Sequence, residues 1–215
     1  LTPTRELAAQ IGDNFTAYAK HLSLRHRVIF GGVGQNPQVA DLRRGVDVVV
    51  ATPGRLLDLH QQGHMNLGDV EFFVLDEADR MLDMGFIPDI ERICKLIPFT
   101  RQTLFFSATM PPEITRLTEQ FLHAPVRVEV AKASSTAETV TQRLVKCGAK
   151  DWDRRARLRE IIRAEEETGE LKNAIIFCNR KRDVSELFRS LVKHDFDAGA
   201  LHGDMDQRAR MAMLQ

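Results

Sequence analysis

Features that mark secreted, membrane-spanning and zinc-binding proteins are scarce in this 215-residue chain. Its three cysteines, Cys94, Cys147 and Cys178, are odd in number and far apart, which favours reduced thiols over a disulfide framework or a zinc cluster. The seven histidines show no ligand spacing. No apolar run approaches the ~20 residues of a spanning helix, and the start has no signal-peptide pattern. We therefore predict a cytoplasmic protein that does not enter a membrane.

An excess of one charge is absent as well. Thirty basic and thirty acidic residues cancel, so binding to nucleic acid has to come from local basic patches and not from a global field. The phosphate loop G-x-x-x-x-G-K-[ST] occurs nowhere in the sequence. What remains, 43% hydrophobic and 28% charged residues, is an ordinary globular composition with room for more than one core.

Acidic residues crowd behind one short apolar run. The run 72–75 (Phe-Phe-Val-Leu) is too short for an ordinary helix, and it predicts a strand buried on both faces. Asp76, Glu77 and Asp79 follow it, so they should lie at the sheet edge where α/β proteins bind ligands. Three neighbouring carboxylates repel one another unless a cation or a reacting proton uses them.

These acids allow two interpretations. Asp76, the first residue after the strand, suits a magnesium ion held through water, because magnesium binds few carboxylates directly. Glu77 is then in position to orient and deprotonate an attacking water. The alternative is structural: Asp76 and Asp79 only cap a helix that begins near Ala78.

One local pattern occurs twice. Residues 2–5 (Thr-Pro-Thr-Arg) and 52–55 (Thr-Pro-Gly-Arg) each combine a threonine able to cap a helix, a proline at the first helical position and an arginine in the first turn. Two helix N-termini at one sheet edge would offer free N–H groups to phosphates, and Arg5 and Arg55 would add charge. Capped helices and surface arginines are also common without any ligand, so the structural alternative stays open.

Strand and helix patterns alternate along the chain, which predicts an α/β fold with parallel sheets. Further strands are expected at 28–30, 46–51, 103–106, 126–130, 140–145, 174–178 and 198–201. Residues 131–139 are small and polar, which indicates a linker. We predict a first lobe at 1–130, the linker at 131–139 and a second lobe at 140–215.

Several stretches together resemble the DEAD-box RNA helicases. The string Asp-Glu-Ala-Asp at 76–79 is similar to their Walker B element. The other matching stretches follow in family order along nearly the whole chain: 3–8 (PTRELA), 31–32 (GG), 52–55 (TPGR), 107–109 (SAT), 175–179 (IIFCN) and 202–204 (HGD). Residues 36–38 and 80–86 look most like the bacterial RhlE-type branch.

The resemblance implies two RecA-like lobes, both incomplete in this chain, with ATP and Mg²⁺ as cofactors. Asp76 and Glu77 would serve catalysis, with Asp76 holding Mg²⁺ through water. Asp79 would contact Ser107 or Thr109 and so couple hydrolysis to strand separation. The implied contacts to RNA are Pro3, Thr4, Arg5, Gly31, Gly32, Thr52, Pro53, Gly54, Arg55, Asn179, His202, Gly203, Gln207 and Arg210.

The implied activity is RNA-stimulated ATP hydrolysis coupled to local unwinding of short RNA duplexes or to remodelling of RNA–protein complexes. Single- and double-stranded RNA, bound through the backbone, are the expected partners, with ribosomal or RNA-decay assemblies as further expectations. The family's phosphate loop and arginine finger are not found, and such a finger alone is worth roughly 10³ to 10⁵ in rate. We therefore expect a fragment that hydrolyses ATP negligibly by itself. Two alternatives stay open: a non-catalytic RNA-binding adaptor and a DNA-acting helicase of the same superfamily.

Overall fold

The computed structural model describes residues 1–129, 140–169 and 171–214, without the side chain of residue 214. The chain divides into two compact units, Leu1–Ser135 (unit 1) and Thr136–Gln215 (unit 2). The linker predicted at 131–139 lies outside the described residues, so the boundaries at 130 and 140 stay predictions.

Unit 1 alternates helices and short strands. In chain order its elements are α1 (Arg5–Tyr18), β1 (His26–Ile29), α2 (Asn36–Arg43), β2 (Val48–Ala51), α3 (Pro53–Gln61), β3 (Phe72–Leu75), α4 (Ala78–Asp83), α5 (Ile87–Leu96), β4 (Gln102–Phe105) and α6 (Pro112–Phe121). β1 pairs with β2 and β3 pairs with β4, both in parallel. This pairing confirms the predicted α/β class with parallel sheets.

Leu1 and Thr2 lie between the two strand pairs. The Thr2 N–H donates to the Ala51 carbonyl at the end of β2 (3.0 Å), and the Asp76 N–H donates to the Leu1 carbonyl just beyond β3 (3.0 Å). This two-residue bridge aligns the carboxyl ends of β2 and β3. The residues that follow these two strands therefore share one sheet edge.

Strand β3 is covered on one face only. Phe73 and Leu75 are 6% and 2% exposed and pack in the core with residues of α3 and α5. Phe72 and Val74, which alternate with them, are 64% and 39% exposed. The prediction of a strand buried on both faces is therefore wrong for the described part of the chain. Four apolar residues in a row do not reveal whether a second layer covers the sheet.

The first Thr-Pro pattern does not start a helix at its proline. The Thr2 N–H is engaged by β2, and the backbone stays extended through Thr4 (φ −124°, ψ 153°). α1 begins only at Arg5, where the Thr4 Oγ1 accepts a hydrogen bond from the Leu7 N–H (3.2 Å). Pro3 is therefore not the first helical residue that its pattern suggests, because pairing with the sheet claims the preceding backbone.

The second Thr-Pro pattern starts its helix as predicted. Thr52 is the N-cap residue and Pro53 is the first residue of α3. The Thr52 N–H still donates to the Ile29 carbonyl at the end of β1 (3.2 Å), and its side chain makes no capping hydrogen bond with a described residue. The strand therefore passes into the helix without an intervening loop.

Unit 2 contains three described helices, α7 (Asp151–Glu167), α8 (Lys181–Lys193) and α9 (Gln207–Leu214). α7 and α8 contact each other through polar side chains. Arg155 pairs with Glu186 (3.4 Å), and the Arg159 guanidinium donates to the Ser190 hydroxyl (2.9 Å).

Four predicted strands are wrong for the described residues. The segments 140–145, 174–178 and 198–201 form no strand, and neither does 126–129, the described part of the predicted strand 126–130. A strand needs a hydrogen-bonded neighbour, and these segments have none in the described parts of the chain. Ile175 and Phe177 are accordingly 82% and 91% exposed. Their apolar composition favours a strand, but pairing depends on residues distant in sequence.

Candidate functional site

The chain turns sharply from β3 into α4 at Glu77. This residue has φ 53° and ψ 52°, the left-handed region that a residue with a Cβ adopts at a cost of about 1–2 kcal/mol. Two backbone hydrogen bonds flank the turn: the Met81 N–H donates to the Glu77 carbonyl (3.0 Å), and the Ala78 N–H donates to the Phe106 carbonyl (3.1 Å). Strain of this kind persists where the surrounding structure holds it, and it is frequent at functional sites.

The Asp76 and Glu77 carboxylates are open at this edge. Asp76 is half-buried and Glu77 is exposed, and neither carboxylate accepts a hydrogen bond from a described residue. Glu77 occupies the N-cap position of α4. The structural alternative, in which Asp76 and Asp79 only cap this helix, is therefore wrong, because Asp76 precedes the N-cap and Asp79 lies within α4.

Asp79 is tied to the segment after β4 through both Ser107 and Thr109. Its N–H donates to the Ser107 Oγ (3.2 Å), and its Oδ2 accepts from the Thr109 N–H (2.9 Å) and the Thr109 Oγ1 (2.7 Å). The Ser107 hydroxyl donates in turn to the Thr109 carbonyl (2.7 Å). We call these three residues the acid latch. The structure thus brings together the residues for which the sequence analysis expects a shared role.

The latch favours the ionised form of Asp79. Burial, the largest single cause, raises the pKa of this carboxyl, and the hydrogen bonds from the Thr109 side chain and backbone and from Ser107 lower it. The Arg80 N–H, which donates to Oδ1 (3.1 Å), acts in the same direction. Together these bonds hold the pKa of Asp79 below its ordinary value, because hydrogen bonds to a carboxylate stabilise its charged form.

The glycine pair of the sequence forms part of a loop, 31–34, which we call the glycine loop. Gly32 has φ +79°, and a Cβ at this position would collide with the Arg5 guanidinium. Glycine is therefore required here both for the backbone conformation and for the close approach. A Cβ at Gly31 would meet no described atom within 4 Å.

Arg55 approaches the glycine loop from α3. Its Nη2 donates to the Val33 carbonyl (3.0 Å), and its Nε lies 3.6 Å from the Asp58 Oδ2. The side chain is only 11% exposed, and its Nη1 is buried without a hydrogen-bond partner among the described residues. The two arginines of the repeated pattern, Arg5 and Arg55, therefore converge on one loop of unit 1.

The remaining predicted site residues belong to unit 2. The Asp206 Oδ1 accepts from the Ala209 N–H (2.9 Å), so Asp206 caps α9 and places Gln207 and Arg210 in its first turn. Asp204, two residues earlier, pairs instead with Lys181 (2.6 Å).

The Lys181–Asp204 pair connects two of the matching stretches of unit 2. Lys181 begins α8 two residues after Asn179, and Asp204 follows His202 and Gly203. The hydrogen bond from Lys181, supported by its charge, holds the pKa of Asp204 below its ordinary value. The His202 Nδ1 is buried without a hydrogen-bond partner among the described residues.

Sequence reasoning missed the residues that support these loops. Asp58 follows Arg55 by three residues, and this helical spacing could have predicted their ion pair. The role of Val33 depends on its backbone carbonyl, which no side-chain pattern reveals. Lys181 and Asp204 are separated by 23 positions, and no local signal connects them.

Two further classes of feature are absent from residues 1–129, 140–169 and 171–214. No helix there has the length and apolar character needed to cross a membrane. In the same residues, histidine, cysteine and acidic side chains do not gather in groups of three or more that could hold a metal ion.

Known proteins match this chain over its whole length. A family model described as DEAD/DEAH box helicase matches residues 1–117. The DEAD-box ATP-dependent RNA helicase CshA of Streptococcus pneumoniae is 40% identical over 216 residues, which cover 100% of this chain and 40% of the relative. The ATP-dependent RNA helicase DBP2 of Saccharomyces cerevisiae is 40% identical over 215 residues, which cover 100% of this chain and 39% of the relative. The chain thus spans about 40% of the length of these curated relatives.

A solved structure has a similar fold. It is the crystal structure of a DEAD box protein from the hyperthermophile Methanococcus jannaschii, with a TM-score of 0.58 and 35% sequence identity. The match covers 100% of this chain and 56% of that chain.

Proposed function

Because the chain belongs to the DEAD/DEAH-box helicase family, we propose that it is part of an ATP-dependent RNA helicase. The activity is RNA-stimulated ATP hydrolysis, coupled to local unwinding of short RNA duplexes or to remodelling of RNA–protein complexes. The proposal depends on the sheet edge of unit 1 that carries Asp76, Glu77 and Asp79, which we call the acid edge. There the open carboxylates of Asp76 and Glu77 lie next to the acid latch. An enzyme that couples ATP hydrolysis to RNA unwinding needs both a hydrolytic centre and a connection from it to the rest of the lobe.

Asp76 suits a Mg²⁺ ion that arrives with ATP. Its carboxylate accepts no hydrogen bond from a described residue, so its oxygens are available. The described residues contain no cluster of ligands, and Mg²⁺ commonly keeps several waters and binds only one or two carboxylates together with the phosphates of its substrate. When bound, Mg²⁺ would neutralise phosphate charge, and Asp76 would hold it through water.

Glu77 is the proposed base. Its carboxylate is exposed and takes no part in capping α4, so it is available to orient a water molecule and accept its proton. The left-handed backbone fixes the direction in which Glu77 leaves the end of β3. We propose that the strain is retained because the base must project from this corner.

The acid latch is the proposed coupling element. Asp79 lies two residues after the proposed base, and Ser107 and Thr109 connect it to the segment between β4 and α6. A displacement of Glu77 on hydrolysis would pass to Asp79 through the two peptide units on either side of Ala78, and then to the β4 side through three hydrogen bonds.

The RNA face proposed for unit 1 follows the same sheet edge. It consists of the start of α1 (Pro3, Thr4, Arg5), the glycine loop and the start of α3 (residues 52–55). Helix N-termini and a glycine loop offer N–H groups to phosphates, so binding would follow the backbone of single- or double-stranded RNA with little base specificity. In unit 2 the proposed contacts are Asn179, His202, Gly203, Gln207 and Arg210.

Finer assignments stay predictions. The relatives come from bacteria, yeast and plants at similar identity, so they do not single out one branch or source. The RhlE-type branch and a bacterial source stay expectations from the sequence motifs. A cytoplasmic location and work on ribosomal or RNA-decay assemblies are likewise predictions.

ATP hydrolysis with and without single-stranded RNA tests the proposal. It should be measured on this chain, and on a chain extended at both ends by the phosphate-loop and arginine-finger segments, each with Glu77→Gln as control. We expect turnover only in the extended chain, stimulated by RNA and abolished by Glu77→Gln. Turnover by the 215-residue chain itself would contradict the expectation that hydrolysis needs the phosphate loop and the arginine finger.

The same measurement separates the alternatives. RNA binding by the extended chain without RNA-stimulated turnover would favour the adaptor. Equal affinity for DNA and RNA strands of one sequence, measured at the same salt concentration, would favour the DNA-acting helicase.

A further inference from the structure

One face of α3 is hydrogen-bonded to the glycine loop and to the residue that follows it. Arg55, Asp58 and Gln62 occupy positions i, i+3 and i+7, which place them on the same side of the helix. Arg55 donates to the Val33 carbonyl (3.0 Å), while Gln62 exchanges two hydrogen bonds with Gln35 (2.8 and 3.3 Å). We call Arg55, Asp58, Gln62 and Gln35 the loop clamp.

Asp58 joins the two ends of the clamp. Its Oδ2 lies 3.6 Å from the Arg55 Nε, and its Oδ1 accepts from the Gln62 Nε2 (2.7 Å). One carboxylate therefore fixes the side chain that binds the middle of the glycine loop and the side chain that binds the residue after it.

Arg55 is badly placed to reach a ligand itself. Its side chain is 11% exposed, and its Nη1 is buried without a partner among the described residues. A buried donor left unpaired costs about 1–3 kcal/mol, so fold stability alone does not explain an arginine here. Residues 32–34, which the clamp holds, are exposed. The exposed element is the loop, and Arg55 supports it.

We propose that Arg55 and Asp58 are positioning residues, which fix the exposed backbone of the glycine loop for an RNA phosphate. For Arg55 this role replaces the direct RNA contact that the family resemblance implies. The ligand in this inference rests on the proposed function. The clamp rests only on contacts within unit 1.

Backbone NMR order parameters of the 215-residue chain test the clamp without any ligand. Asp58→Asn should lower the order parameters at 31–35, because the carboxylate no longer holds the Arg55 and Gln62 side chains together. The matched control is Asp89→Asn, which breaks another i,i+3 pair, Asp89 with Arg92 on α5. Order parameters at 31–35 that are equal in the two variants would overturn the clamp.

Binding of a ~12-nucleotide single-stranded oligouridine, within the usual size of such sites, tests the role in recognition. General electrostatics predicts that removing an acidic charge near RNA tightens binding. The clamp predicts the opposite effect for Asp58→Asn: the affinity for RNA should fall about three- to tenfold, which corresponds to a modest coupling between neighbouring residues. Asp58→Glu should restore binding, and Asp89→Asn should leave it unchanged. Tighter binding by Asp58→Asn would overturn the proposal.

Salt dependence separates positioning from direct contact. A side chain that neutralises one phosphate contributes about 0.7 to the slope of log K against log salt for a single strand. Arg55→Gln should weaken binding with an unchanged slope, and adding Asp58→Asn to it should cost less than Asp58→Asn costs in the unchanged chain, because only the Gln62 end of the clamp remains to be lost. A slope reduced by about 0.7 would make Arg55 a direct phosphate ligand and refute the inference. If the unchanged chain binds no RNA, the proposed RNA face fails for this chain, and the order parameters still decide the clamp.

Discussion

The acid latch makes a quantitative prediction about Thr109→Val. Valine keeps the shape of threonine and removes the Oγ1 donor, whose bond to the Asp79 Oδ2 is 2.7 Å. A hydrogen bond to a charged group contributes about 1.5–3 kcal/mol. The lower end applies, because the Thr109 N–H bond (2.9 Å) remains. For a unit of this size, about 1.5 kcal/mol lowers the melting temperature by about 5 °C, which thermal unfolding at pH 7 followed by circular dichroism will measure.

The pH dependence of this difference follows from the direction of the pKa shift. The pKa of Asp79 in the folded chain lies below its ordinary value of 3.8. Its stabilising contribution is therefore fully present above that value, and it is lost as the pH falls through the lower folded-state pKa. The difference between the unchanged chain and Thr109→Val should shrink when unfolding is repeated under acidic conditions near the folded-state pKa.

The control for the latch is Thr118→Val. The Thr118 Oγ1 donates to the Thr115 carbonyl within α6 (2.7 Å), and no carboxylate takes part, so its cost should not depend on pH. The reasoning about the latch is refuted if Thr109→Val and the unchanged chain have the same melting temperature at pH 7. It is equally refuted if the difference in melting temperature between the two is as large in acid as at pH 7.

Two substitutions at positive φ provide further predictions. At Glu77, the melting temperature should be highest for Glu77→Gly, lower for Glu77→Gln and lowest for Glu77→Val. Glycine relieves a left-handed strain of about 1–2 kcal/mol, and a β-branched residue increases it. The reverse order would show that the turn is not strained. Gly32→Ala should lower stability by about 1 kcal/mol or more and displace the Arg5 side chain, while Gly31→Ala, with open space around it, should be nearly neutral. Equal melting of the two alanine variants would contradict the close approach of Arg5.

The acid edge could be predicted because its signals are local. A four-residue apolar run followed at once by Asp76 and Glu77 identifies the end of a strand, and parallel pairing then brings the end of β4 to the same edge. The contact between Asp79 and Thr109 spans 30 positions, and it came from the family resemblance, since no spacing in the sequence implies it. The contact itself is now described, while its coupling role stays a prediction.

Other features were beyond the sequence because they depend on distant partners. Thr2 reads as a helix cap in isolation, yet its N–H is used by β2. The run at 174–178 has the composition of a buried strand, but among the described residues nothing pairs with it. Gln35 and Gln62 are uncharged and 27 positions apart, so no periodicity or charge pattern connects them. Local propensity thus predicts where a helix or strand ends better than it predicts which other elements pair with it.

The bridge formed by Leu1 and Thr2 sets a length scale for the proposed chemistry. With one bridging segment between β2 and β3, the backbones at Thr52 and Asp76 are separated by about two strand spacings, or roughly 10 Å. Every link across that width is a main-chain hydrogen bond of about 3.0 Å, which leaves little slack. The Asp76 backbone and the end of β2 are therefore connected through main chain alone, with no side chain in the connection. If the proposed roles hold, the carboxylates that serve ATP and the start of α3 that serves RNA would be joined by only two residues of main chain, Leu1 and Thr2.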